Sequence, residues 1–131
     1  AAAAAAVARR EAMNGAMRRS GHLMGAKSRN KGKRGESEVV HLLRAIWAEV
    51  RRGAAQSRKG SDAADVEGSR YWIEVKLGKA PGIHAAMKQA VESTDGRPPV
   101  VFTRRDGETW LVTMRAEDWV AERAAAREET R

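Results

Sequence analysis

The chain contains no cysteine and only three histidines, His22, His41 and His84. Disulfides and thiolate metal sites are excluded by the first absence, and a zinc centre is disfavoured by the second. No run approaches the roughly 18 to 20 apolar residues that a membrane span needs, and no secretory signal with a cleavage site is evident. A soluble, cytoplasmic protein without membrane contact is the resulting expectation. Acidic residues are scarce at one end: residues 1 to 34 carry nine Lys/Arg against Glu11 alone, whereas residues 35 to 131 hold sixteen of each sign. The whole formal excess of +8 therefore sits in the N-terminal stretch. A basic arm on a near-neutral domain suits phosphate-backbone contact, where counterion release supplies much of the affinity. A solubilising tail would have the same composition.

At 131 residues the chain has room for one domain with a modest core. We divide it into an arm, residues 1 to 30, and a domain, residues 31 to 131. The arm begins with six alanines, to which no function is given, and continues with Met13 and Met17 as a packing stripe among arginine pairs. Ser28 to Arg34 is Gly- and Lys-rich and is expected to be a flexible lead. From Gly35 to about Glu49, Val39, Leu42, Leu43, Ile46 and Trp47 recur at three- and four-residue spacing, which predicts an amphipathic helix with Glu36 and Glu38 in its first turn. A short strand is expected over Val50 to Ala55, then a basic loop from Gln56 to Asp62.

The most informative stretch is Tyr71-Trp72-Ile73-Glu74-Val75-Lys76. Tyr71, Ile73 and Val75 alternate with Trp72, Glu74 and Lys76, so Glu74 and Lys76 project from one face of a strand. Upstream, Ala63 to Gly68 reads as a short strand ending in a turn, and an antiparallel return through Glu67 to Arg70 brings Asp65 toward Glu74. Two carboxylates and a lysine in one small volume suit magnesium-assisted phosphodiester hydrolysis: Asp65 and Glu74 as ligands, Lys76 to orient or deprotonate the attacking water and offset phosphate charge. Taken alone, the Glu74/Lys76 pair also reads as a surface ion pair on an edge strand, a common feature of little consequence. Asp62 competes with Asp65 for the ligand role, but its position after Gly60-Ser61 marks it as a turn residue.

Beyond this strand, Ile83 to Val91 carries a helical face, Pro98-Pro99 opens the apolar strand Val100 to Thr103, and Asp106-Gly107 signals a hairpin returning over Thr109 to Met114. Ala116 to about Glu129 is expected to be a closing helix docked through Trp119.

Gly32 to Glu36 after Lys31, then Asp65 before Val66, then Ile73-Glu74-Val75-Lys76 follow in the order of a known pattern. In these residues, spanning about 31 to 113, the chain resembles the PD-(D/E)xK nuclease superfamily, and within it the archaeal-type Holliday junction resolvases and their phage relatives. Ala64 stands where many relatives have proline. The resemblance implies an α/β restriction-endonuclease-like core, a mixed sheet of about five strands flanked by helices. It implies Glu36, Asp65, Glu74 and Lys76 as catalytic residues, with Gln89 from the following helix steadying the lysine or a water. It further implies Mg2+, replaceable by Mn2+, on Asp65, Glu74, the Val75 carbonyl and Glu36. DNA contacts are expected from Lys31, Lys33, Arg34, Arg51, Arg52, Ser57, Arg58, Lys59 and Ser61. The implied activity is paired cleavage of four-way DNA junctions by a homodimer, since a two-fold substrate is best met by two sites. Another superfamily endonuclease, acting on duplex, flap or damaged DNA, and a non-catalytic DNA-binding module are the alternatives.

Overall fold

Strand β3, Trp72–Gly78, occupies the centre of the sheet. The computed structural model describes residues 29–53 and 63–130. Among these, residues 29–43 form helix α1, followed by β1 (Arg51–Arg52), β2 (Val66–Glu67), β3, α2 (Ile83–Ser93), β4 (Pro99–Arg105), β5 (Leu111–Met114) and α3 (Ala116–Glu129). The five strands lie in the order β1-β2-β3-β4-β5. β3 and β4 are parallel, with Glu74 beside Val101 and Lys76 beside Thr103, and every other neighbouring pair is antiparallel. The protein is thus α/β with a mixed sheet. Gly32–Arg131 is one compact unit, distinct from Ala1–Lys31. No helix of the described residues is long and apolar enough to cross a membrane.

Alternation along β3 and β4 sends side chains to two separate cores. Ile73, Val75, Val100 and Phe102 pack with Val39, Val40 and Leu43 of α1, whereas Trp72 and Val101 pack with Ala86 and Ala90 of α2. Both faces of the central strands are covered, as parallel strands require. The side of β3 that carries Glu74 is therefore not open to solvent: small alanines let α2 close over it.

Two helices differ from expectation. α1 includes residues 29–34, expected as a flexible lead, and ends at residue 43 rather than near Glu49. Glu36 and Glu38 are accordingly not in a first turn; Glu38 pairs instead with Arg104 at 3.3 Å and Arg34 at 4.0 Å. Glycine at position 35 marks a close approach rather than a break, since a Cβ there would lie 3.2 Å from the Leu77 Cβ. After Leu43 the chain turns, and Trp47 meets Tyr71 edge-on at 5.8 Å between ring centroids. α3 has the expected bounds but buries no residue: Trp119 is 55% exposed, and the helix is tied by Glu122 to Arg70. Strand β1 is shorter than expected, ending at Arg52 within the described residues.

Two glycines with positive φ separate strain from space. Gly68 (φ 94°) ends β2, and a Cβ there would sit 2.4 Å from the Glu49 carbonyl oxygen; Gly107 (φ 77°) in the β4–β5 turn has nothing within 4 Å. Gly107→Ala should cost about 1 kcal/mol, the price of left-handed backbone alone. Gly68→Ala adds a backbone collision and should cost about 3 kcal/mol or more. Urea unfolding of both variants measures the difference, and equal midpoints would refute it.

Candidate active site

Asp65 stands where β2 parts from β3. Its N–H donates to the Ile73 carbonyl at 2.9 Å and its own carbonyl accepts from Gly53 N–H at 2.8 Å, so its backbone is fixed on both sides. Next along β3, the Val75 N–H donates to Asp65 Oδ2 at 2.8 Å. A carboxylate takes the place of a strand carbonyl. The Val75 carbonyl lies on the same strand edge as that N–H, as the two groups of one extended residue do.

Glu74 is 4% exposed, on the face covered by α2. An exposed ion pair on an edge strand is thereby ruled out for Glu74, since β3 is central and this carboxyl is buried. Its Oε1 accepts the indole N–H of Trp72 at 3.1 Å. Burial first, then the charge and hydrogen bond of Asp65, push the Glu74 carboxyl up to about 7, against the lowering effects of Trp72 and Lys76. Lys76 is half-buried and shares the Glu74 face.

Glu36 reaches the same neighbourhood from α1. Its Oε2 accepts from Arg52 Nε at 3.0 Å, which joins α1 to β1. Burial raises the Glu36 carboxyl; Arg52 opposes that, and Asp65 adds to it. Asp65 is thus the charge that both glutamates feel. The arrangement gathers Asp65, Glu74, Lys76 and, through Arg52, Glu36.

Gln89 is not brought in. It is exposed on α2, whose buried residues are Ala86 and Ala90, and it has no hydrogen-bond partner among the described residues. Lys33, Arg34 and Arg51 are exposed; Lys31 belongs to the other unit. Ser57, Arg58, Lys59, Ser61 and the competitor Asp62 lie outside the described residues, as does the arm up to Ser28. Sequence reasoning missed Trp72 as the donor to Glu74, although their two-residue spacing on a strand places them on one face. It also missed Arg97, which holds Glu67 at 2.8 Å and Asp95 at 2.9 Å and lies 5.2 Å over the Trp72 ring. That cluster braces the ring that braces Glu74.

Among the described residues no group of three or more His, Asp or Glu side chains is gathered as a metal cage. Magnesium does not need one, because it binds through one or two carboxylates and keeps its waters. Asp65 and Glu74 with the Val75 carbonyl form a hard-oxygen set of that size. A buried acid whose pKa is raised by an adjacent carboxylate is a pair that a divalent cation would relieve. The donor set fits the ion. No family model, no curated protein and no solved structure matches the chain.

The raised Glu74 value fixes a pH dependence of stability. Below about 4.5 the carboxyl is protonated folded and unfolded alike; between about 4.5 and 7 the folded state alone keeps the proton; above about 7 the folded state must ionise a buried group. Metal-free protein should therefore lose up to about 3 kcal/mol from this group as pH rises through that window. Glu74→Gln, neutral throughout, should remove the decline. Urea unfolding from pH 4.5 to 8 measures it, and parallel curves for the two proteins would refute it.

Proposed function

We propose that the chain is a magnesium-dependent endodeoxyribonuclease with a restriction-endonuclease-like core, which resolves four-way DNA junctions. The observation that carries this reading is the buried Glu74 beside Asp65, with Asp65 bonded to the Val75 N–H and Lys76 on the Glu74 face. A buried acid with this neighbour on a central strand is costly to the fold, and such costs gather at sites that do chemistry. The order of Glu36, Asp65, Glu74 and Lys76, together with the five-stranded mixed sheet, is consistent with the superfamily that the sequence resembles.

Asp65 and Glu74 would hold the ion, with the Val75 carbonyl beside them. Once bound, magnesium supplies the Lewis acidity that polarises the phosphodiester. The chain does the rest. The Val75 N–H fixes the Asp65 carboxylate, and the Trp72 N–H fixes Glu74. As an ammonium Lys76 would offset charge gathering on the phosphate; as the free amine it would take a proton from the attacking water. Glu36 orients Arg52, and Arg51 and Arg52 at the sheet edge offer charge to the DNA backbone. A homodimer supplies the paired cuts that a two-fold junction needs. The exposed apolar residues Leu111 and Val112 on edge strand β5, with Ile46, Trp119 and Val120, support a partner surface.

Three experiments test this. Asp65→Asn and Glu74→Gln should each abolish magnesium-dependent cleavage of a labelled four-way junction while leaving junction binding in place; wild-type rates in both would reject the site. Lys76→Met keeps the stem and loses the ammonium, so turnover should fall on the order of a hundredfold or more with affinity unchanged. A linear duplex with the same arm sequences, cut as fast as the junction, would assign an ordinary duplex endonuclease instead.

A further inference from the structure

Between α1 and the sheet edge, a cavity of about 410 Å³ is lined by Ser37, Val40, His41, Arg44, Arg51 and Arg52. Ser37, His41 and Arg44 follow at four- and three-residue spacing, so they form one stripe along the helix surface. Arg44 keeps that spacing past the helix end because its N–H donates to the Val40 carbonyl at 3.1 Å. The opposite wall is β1, an edge strand that contributes Arg51 and Arg52. Val40, 6% exposed, lies between the walls as an apolar floor.

The charges in this groove are unbalanced. Arg52 is engaged with Glu36, but Arg44 and Arg51 have no carboxylate within salt-bridge distance among the described residues. Among the described residues Arg51 reaches only the Glu49 carbonyl, at 3.4 Å. Among the described residues no acidic side chain lines the cavity. Guanidinium groups with a hydroxyl and an imidazole around one concavity are the donor set that recognises a phosphate oxyanion. The groove ends at Arg52, whose other contact is Glu36 of the candidate active site. An anion seated here lies next to whatever the carboxylates hold. A polymer with regularly spaced phosphates places one at each location, which an isolated anion does not.

We propose that this groove between α1 and β1, walled by Ser37, His41, Arg44, Arg51 and Arg52, is a subsite for a DNA backbone phosphate flanking the one presented to Asp65 and Glu74. The α1 wall is its new component: Ser37, His41 and Arg44 are positioning residues for the strand and touch no reacting atom. The proposal rests on the nuclease reading for the identity of the polymer. Its test is made by binding alone, so that the two can fail separately.

The full chain is titrated against an end-labelled four-way junction in chelator, without cleavage, across a range of salt concentrations. Arg44→Gln with Arg51→Gln removes two exposed charges and no buried contact. It should weaken binding on the order of tenfold and reduce the slope of log affinity against log salt by about 1, the value for one phosphate. Arg123→Gln with Arg127→Gln on α3 makes the same change in net charge and should leave the slope unchanged. A single neutral methylphosphonate linkage is then moved along the junction strand next to the cut. At one position it should weaken wild-type binding on the order of tenfold and the Arg44/Arg51 variant not at all. An unchanged slope in that variant, an equal fall in the α3 control, or no linkage position that separates the two proteins overturns the proposal. So does displacement of the junction by millimolar inorganic phosphate beyond that caused by chloride of equal ionic strength, which would assign the groove to a free anion. Loss of the slope in a protein that never cuts DNA would support the subsite and reject the nuclease reading.

Discussion

One hydrogen bond, from the Val75 N–H to Asp65 Oδ2, joins the sheet to the candidate site. β2 provides only two ladder residues, and beyond them the central strand would carry an unsatisfied N–H where β2 turns away. The Asp65 side chain fills that place, so one carboxylate oxygen completes the sheet and the group stays beside Glu74. A buried N–H without a partner costs about 1 to 3 kcal/mol, which is the force that keeps Asp65 in position. Glu74 in turn is held by its own strand neighbour Trp72, and the Trp72 ring lies under an arginine that Glu67 and Asp95 fix. The site is organised by the sheet and by the turns at its ends.

Different parts of this were legible in the sequence to different degrees. Alternation over Tyr71 to Lys76 placed Glu74 and Lys76 on one face, and the turn at Gly68 brought Asp65 back beside β3, because strand period and turn chemistry are local properties. The Asp106-Gly107 hairpin and the bounds of α3 are local in the same sense. What failed depended on neighbours distant in sequence. Gly32 read as part of a flexible lead and Gly35 as the start of a helix, yet α1 runs through both, and Gly35 meets Leu77 across the helix–sheet contact. Trp119 looked like a docking residue, but α3 buries nothing, and no pattern within the helix reveals which surface lies opposite it. The family resemblance implied Gln89 near the lysine, whereas Ala86 and Ala90 set the rotation of α2 and leave Gln89 exposed.

The burial of Glu74 was the least readable property, and it alters the chemistry most. Glutamate in an alternating strand is ordinarily the solvent-facing member. Here the small side chains of α2 remove the water that would hydrate it, and Asp65 adds a second negative charge. A group that titrates near neutrality in the apo protein is the result. The basic groove depends on α1 instead: one stripe of that helix makes a core, and the neighbouring stripe, with Arg44 across from Arg51 of β1, presents cations that have no ion-pair partner among the described residues.

The parallel ladder between β3 and β4 has a further consequence, for the order in which the chain acquires structure. It pairs Trp72 with Pro99 and continues to Gly78 with Arg105, and none of these contacts can form until the connection through α2 has closed on itself. The β4–β5 hairpin needs only a tight turn, and α3 needs only itself. Loop closure must be met before such a parallel pairing is rewarded, so the β3-α2-β4 unit is expected to form after the β4–β5 hairpin. Glu74 and Lys76 lie on the strand that this unit orders, so the candidate site depends on contacts made across the length of α2.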